Sequence, residues 1–432
     1  MLADLLSDSR PLDAPVALSP DGPRTLGELA GAATQVARQT AAGGRWVLAC
    51  PDAFEFTAGL LGLLQSRCTV LIPPNLLPET LALLQAEAAG SISAAPAGGA
   101  SSAPLGPIPD GDLEFWTSGS SGHPKRVPRR FAHLLREVEV LETLFGPHCQ
   151  GGPILGTVPH HHIYGCLFRV LWPLAAGRPF LTEPCGEPDR FLAAFAQALP
   201  PVLVASPAHL SRLPQLVDMG RIQTAPSVVF SSGGPLAAED ARRWRRWSPG
   251  GVIEIYGSTE SGGIAWRNQD GQPENEAWTP FPDVTLAAAE DGALLLRSPR
   301  IPPGVLRMED AVDFLPDGRF RLRGRLDRVL KLAEKRVSLP ELEASLEAHP
   351  WVQRAAVVLL REPRTLLGAV LVLSPEAPVT EAKDLAATLK AHLARRFEAA
   401  ALPKRWRVVE QLPTNASGKV EAARLAGLFL PS

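Results

Sequence analysis

Six short apolar runs between Arg45 and Gly257 constrain this chain more than any other feature: RWVLACP, CTVLIPP, PILGTVP, PVLVASP, SVVFSS and GVIEIYG. Each is too short for a helix, rich in Val, Ile and Leu, and continuous rather than alternating. Such runs suit strands covered on both faces, as in a parallel sheet. Stretches with helical apolar spacing, such as FLAAFAQAL and HLSRLPQLV, fall between them. The pattern predicts an α/β fold. At 432 residues the chain exceeds what one hydrophobic core supports, so two or more domains are expected.

From Ala293 the pattern changes. ALLLRS and RFRLRG read as strands around a turn at Asp317-Gly318, a strong hairpin signal. GRLDRVLKL comes next, then SLPELEASLEAH, where Ser338 and Glu341 form a capping-box pattern and Pro340 fits a first helical turn. AAVVLL reads as a strand and 382–397 as an amphipathic helix. This tail has the make-up of a small α+β domain, with a boundary near Arg325 to Asp327. The expected division is 1–325 and 326–432. Ser91 to Asp112, rich in Ala, Gly, Ser and Pro, reads as a flexible surface segment leading into the strand candidate LEFW.

Composition excludes several classes. A formal charge of −2 supplies no global basic field, which argues against a nucleic-acid partner. Arg242, Arg243, Arg245 and Arg246 form one basic run, read as a solvated helix face, with carrier-protein or phosphate docking as the alternative. Five scattered cysteines without metal spacing point to reduced thiols and a cytoplasmic setting. The most apolar region, Gly59 to Gly90, is broken by Arg67, Pro73, Pro74 and Pro78, so no membrane span is expected.

FWTSGSSGHPKRVP, Phe115 to Pro128, holds the only lysine of the first 330 residues, in a chain with seven lysines among 43 basic residues. Thr117, Ser118, Gly119, Ser120, Ser121, Gly122 and Lys125 lie between LEFW and a helix expected from RRFAHLLREVEVL. Glycines admit close approach of backbone N–H groups, hydroxyls add donors, and lysine adds a mobile charge. Together they suit a polyphosphate. A plain Ser/Gly turn before a helix is the alternative. Gly122 and Lys125 are separated by His-Pro, so this is not a Walker A loop, and a P-loop ATPase or kinase is disfavoured.

TSGSSGHPK resembles the phosphate loop of the adenylate-forming superfamily, with Ser121 at the second threonine of T-S-G-[ST]-T-G-x-P-K. Further resemblances come in that family's order: HHHIYG (His160 to Gly165), SSGGPL (Ser231 to Leu236), YGSTE (Tyr256 to Glu260), RMEDAV, GRLDRVLK and LPTNASGKV. The resemblance runs from about residue 115 to the end. It implies a large multi-layer αβ N-terminal domain and a small, mobile α+β C-terminal domain. It also implies two half-reactions: a carboxylate attacks ATP to give an acyl- or aryl-adenylate, then a phosphopantetheine thiol of CoA or an acyl carrier protein takes the acyl group.

The resemblance implies a role for each matching residue. Lys125 and the loop hydroxyls bind the β- and γ-phosphates, Glu260 holds Mg²⁺, and Thr259 bonds the α-phosphate. Tyr256 stacks on adenine, with Gly257, Gly233 and Gly234 allowing close approach. Asp310 and Arg325 bind ribose, Asp327 is the hinge, and Lys419 is the catalytic lysine. His162 lines the acyl pocket. Read for themselves, His160, His161 and His162 cannot all face one metal ion if they lie on a strand.

Three positions depart from the family pattern. Glu309 replaces the glycine before the ribose aspartate, and Glu334 replaces a glycine beside the pantetheine tunnel, which leaves the acceptor open between CoA and carrier protein. His162 stands where amino-acid-activating relatives carry aspartate, which favours an aryl or fatty acid. A non-catalytic nucleotide- or acyl-binding relative is the competing expectation.

Overall fold

The computed structural model describes residues 10–95, 99–118, 124–196, 199–270, 272, 275–326, 329–332, 335–360, 366–378, 382–397, 399, 402–414 and 420–430, with backbone alone at 118, 329–332, 335–338 and 382. By packing, the chain forms two units: 1–285 with 297–305, and 286–296 with 306–432.

All six apolar runs become strands. Arg45–Leu48 and Thr69–Ile72 pair in parallel within a five-stranded sheet. Ile154–Gly156, Val202–Ala205, Val228–Ser231 and Val252–Ser258 lie side by side, all parallel, inside a nine-stranded sheet. Every residue of the first three of these strands is buried, so neither face is left to water, which is why they read as continuous apolar runs. The shared core of the first unit fills with residues such as Phe56, Phe115, Leu134, Phe168, Trp172 and Phe230. Helix Ala53–Gln65 is buried over most of its surface, with Asp52 capping it by accepting from the Phe54 and Glu55 amides at 2.8 and 3.0 Å.

Two hairpins differ from expectation. The helix expected from RRFAHLLREVEVL forms, but a strand precedes it. Residues Pro124–Arg130 form a strand antiparallel to Asp112–Ser118, and the helix begins only at Phe131. Val127 and Arg129 point inward while Arg126, Pro128 and Arg130 are exposed, so the segment has the two-residue period of a strand. It lies at the sheet edge, where Pro128 is tolerated. Likewise, the Asp317-Gly318 turn does not join ALLLRS to RFRLRG. It joins Phe320–Arg325 to an unforeseen strand, Leu306–Phe314, which in turn pairs with Ala293–Arg297. Gly318 takes a φ of 84°, as such a turn requires.

In the second unit a four-stranded antiparallel sheet ends at Arg325, and helix Leu339–Glu347 packs with strand Val352–Leu360 around Leu342, Leu346, Val357 and Leu371. The 325/326 boundary expected from sequence falls at the end of that sheet's last strand. By packing, that sheet is grouped with the residues that follow it.

Candidate functional site

Most candidate residues of the first unit lie just past the carboxyl ends of parallel strands, where α/β sheets place their ligands. His162 comes after Ile154–Gly156, Gly233 and Gly234 come after Val228–Ser231, and Tyr256 and Gly257 end Val252–Ser258. The parallel register pairs Ser231 with Glu254, and Ser232 Oγ donates to the Ile255 carbonyl at 2.8 Å, which ties the glycine loop to the tyrosine strand. Gly233 has a φ of 93°, open to glycine and strained for other residues. Below it, buried Glu254 accepts from the Leu236 amide at 2.9 Å and from Arg267 at 2.7 Å. The Tyr256 ring lies 5.6 Å from that of Trp278.

The hairpin of Asp112–Ser118 and Pro124–Arg130 meets this edge at an ion pair. Thr117 and Lys125 are partners in the ladder, and the Thr117 hydroxyl lies 3.5 Å from the Lys125 carbonyl. Lys125 Nζ sits 2.7 Å from Glu260 Oε1, with the lysine side chain 63 % and the glutamate 36 % exposed. Burial works against the Glu260 charge, yet the hydrogen bond from Lys125 and its partners outweigh it and hold the carboxyl below the usual carboxylate range. Thr259 and Glu260 occupy the turn between strands Val252–Ser258 and Gly262–Gln269. Ser258 and Ser261 close that turn: the Ser258 amide donates to Ser261 Oγ at 2.9 Å, and the Ser261 amide to Ser258 Oγ at 3.2 Å. A Cβ on Gly257 would meet the Gly262 carbonyl oxygen at 2.1 Å, so only glycine fits there.

Asp310 and Arg325 lie in the second unit. They face each other across strands Leu306–Phe314 and Phe320–Arg325. Gly119, Ser120, Ser121, Gly122, Asp327, Glu334 and Lys419 lie outside the described residues, and the Ser118 side chain is likewise not described.

The three histidines form a turn rather than a strand, immediately before the short helix Ile163–Gly165. Their rings touch in sequence, edge to face at 5.7 Å from His160 to His161 and tilted at 5.0 Å from His161 to His162. His160 is buried, its Nε2 2.9 Å from the Cys50 carbonyl, and burial drives its pKa down to about 3. Among the described residues no cluster of three or more His, Cys, Asp or Glu could hold a metal ion.

Sequence reading missed the buried charges beneath the site. Arg129, Glu137 and Arg300 are each at most 2 % exposed. Arg129 donates from one terminal nitrogen to the carbonyls of Thr259 (3.1 Å) and Glu260 (2.8 Å), and from the other to that of Arg300 (3.2 Å). Glu137 accepts from the Gly263 amide at 2.7 Å and pairs with Arg300 at 3.4 Å. Arg300 also pairs with Asp283 at 2.9 Å. In sequence these residues look like ordinary surface charges. Their one trace there is the period of two that puts Arg129 in line with Val127.

The basic run is a helix face. Trp244 is buried, Arg243 pairs with Glu239 and Asp240, and Arg245 pairs with Asp270. The five cysteines are free thiols, all buried. Among the described residues no helix is long and apolar enough to cross a membrane.

The AMP-binding enzyme family matches residues 113–297, and the AMP-binding enzyme C-terminal domain matches 341–419. A 4-coumarate–CoA ligase from Rhodobacter capsulatus is 31% identical over 314 residues, covering 71% of this chain and 73% of that protein. An L-proline–[L-prolyl-carrier protein] ligase from Pseudomonas fluorescens is 33% identical over 163 residues, 35% of this chain and 32% of that one. The ATP-bound structure of MatB from Rhodopseudomonas palustris superposes with a TM-score of 0.80 at 20% identity, covering 99% of this chain and 98% of the other. Aligned with such relatives across both of its parts, the chain belongs to the adenylate-forming, AMP-binding enzyme family.

Proposed function

We propose that this protein is an ATP-dependent acid–thiol ligase. A carboxylate oxygen attacks the α-phosphorus of ATP and pyrophosphate leaves. A thiol then attacks the carbonyl of the acyl-adenylate, giving a thioester and AMP. The observation that carries this reading is the Lys125–Glu260 pair, a cation and a carboxylate brought together at the mouth of a glycine-hydroxyl hairpin.

Mg²⁺ fits the donor set. Glu260 offers one partly exposed carboxylate, and no all-protein cage exists among the described residues. This is the arrangement magnesium takes when substrate phosphates complete its coordination. Bound there, the ion would neutralise charge on the phosphates. Lys125, Thr117 and the hairpin turn would hold the β- and γ-phosphates, and Thr259 the α-phosphate. Tyr256, Gly257, Gly233 and Gly234 would seat adenine, and Asp310 and Arg325 the ribose hydroxyls. Lys419 would bridge carboxylate and α-phosphate, Asp327 would serve as the hinge of the C-terminal domain, and His162 would wall the acyl pocket. Catalysis of this kind is positioning and electrostatics.

The likeness to a 4-coumarate–CoA ligase supports an aryl acid as substrate and CoA as acceptor. The shorter likeness to a carrier-protein ligase supports a phosphopantetheine carrier as the other acceptor. Buried free thiols suit a reducing cytoplasm.

Acid-dependent ATP–pyrophosphate exchange tests the reading, run across benzoic, cinnamic and fatty acids. Exchange with one acid class, reduced roughly 100- to 1000-fold in Lys419→Ala, is the expected result. Magnesium-dependent ATP binding without exchange for any acid would instead mark a binding protein of the same fold.

A further inference from the structure

Lys125 and Arg129 lie four residues apart on one face of strand Pro124–Arg130, and both reach the turn that carries Thr259 and Glu260. Lys125 takes the Glu260 side chain, while Arg129 takes the backbone beneath it. A turn's carbonyls report the dihedrals of its residues, so fixing two consecutive carbonyls fixes the direction in which the Glu260 side chain leaves the chain. Charged donors make the stronger class of such bonds. The guanidinium is not free to drift: it is 2 % exposed, its second nitrogen is bound to the Arg300 carbonyl, and Glu137 holds both Arg300 and the Gly263 amide on the far side of the turn. Gly262 makes room for this, since a Cβ there would meet Glu137 Oε2 at 2.1 Å.

We propose that Arg129 is a positioning residue that locks the Thr259–Glu260 turn to the phosphate-loop hairpin, so that a magnesium-bound polyphosphate meets a carboxylate already set in place. The inference rests on the proposed function for its ligand, but not for the lock itself. A single flexible ammonium at this position could serve the two adjacent carbonyls but not the third, so Arg and Lys differ here in a predictable way.

Two measurements on the full-length protein test it. The first is amide hydrogen exchange at residues 258–263 without nucleotide. The second is calorimetric titration with ATP, with and without Mg²⁺. Arg129→Gln is expected to speed exchange in this turn about tenfold or more while the rest of the first unit keeps its protection. It is also expected to remove about tenfold of the affinity that Mg²⁺ adds for ATP. Arg129→Lys, which can serve two of the three carbonyls, is expected to show both effects at about threefold, and keeps the test open if the glutamine variant does not fold. Exchange and magnesium dependence unchanged in both variants, with only the melting temperature lowered, would overturn the proposal. Wild-type protein whose ATP affinity ignores Mg²⁺ would overturn the proposed function instead, and the exchange data would still decide whether Arg129 holds the turn.

Discussion

Two antiparallel hairpins each carry nucleotide-site candidates, and buried charge sets them apart. Asp112–Ser118 with Pro124–Arg130, in the first unit, has outward ion pairs at Arg126 and Arg130 but also rests on charges removed from water: Arg129, Glu137 and Arg300. Leu306–Phe314 with Phe320–Arg325, in the second, is laced by ion pairs in solvent: Arg323–Asp313, Arg319–Asp317, and Arg307–Asp291 from the neighbouring strand end. The chain uses the same residue, arginine, for both. Burial decides what the arginine does. An exposed pair is screened and contributes little. A buried one, stripped of water, depends on the few partners it has, as Arg129 does on three backbone carbonyls, and so ties those partners together.

The contrast would be broken most directly at Glu137. Glu137→Ala leaves Arg300 with Asp283 alone and is expected to lower unfolding stability by about 3–5 kcal/mol, read by urea denaturation. A loss under about 1 kcal/mol would show that the buried network is not what holds the first hairpin. Lys125→Ala sharpens the comparison, since it removes an exposed pair from the braced hairpin. It should cost less than about 1 kcal/mol of stability yet raise the KM for MgATP roughly 10- to 100-fold.

pH separates the two units as well. Buried His160, with a pKa near 3 in the fold and 6.5 as its ordinary value, takes up a proton on unfolding. Its contribution is intact above pH 6.5 and is lost as pH falls from there toward 3, about 2 kcal/mol by pH 5. His160→Leu should flatten that part of the stability profile. In the second sheet, Asp291 and Asp317 are held below 3.8, chiefly by hydrogen bonds from Arg307 and Arg319. They keep their contribution down to that value and lose it only as pH falls further. The smallest effect belongs to Arg323→Ala, expected within about 0.5 kcal/mol by the same denaturation measurement.

The same physics explains which parts of the molecule could be read from the sequence. Strands buried on both faces announce themselves as unbroken apolar runs, as RWVLACP and PVLVASP do. Pro124–Arg130 does not, because KRVPRR gives most of its positions to charge and proline at a sheet edge, where only Val127 and Arg129 turn inward. RMEDAVDF hides for a related reason: its solvent face is acidic and basic, with Met308 and Val312 as the buried residues. The hairpin residues and the YGSTE turn are legible because their chemistry is concentrated in consecutive positions. Arg129 and Glu137 are not, because their buried partners are 126 to 171 residues away in the chain.

The ladder that pairs Thr117 with Lys125 and Ser118 with Pro124 has a further consequence, for change over evolutionary time. It makes each strand of the hairpin a fixed-length device. Exchanging a hydroxyl residue within it, serine for threonine, alters one donor and nothing downstream. Gaining or losing one residue would slip the ladder, and a one-residue slip turns every side chain to the opposite face. Lys125 and Arg129 would swing away from the Glu260 turn together. The segment can therefore drift in composition but not in count.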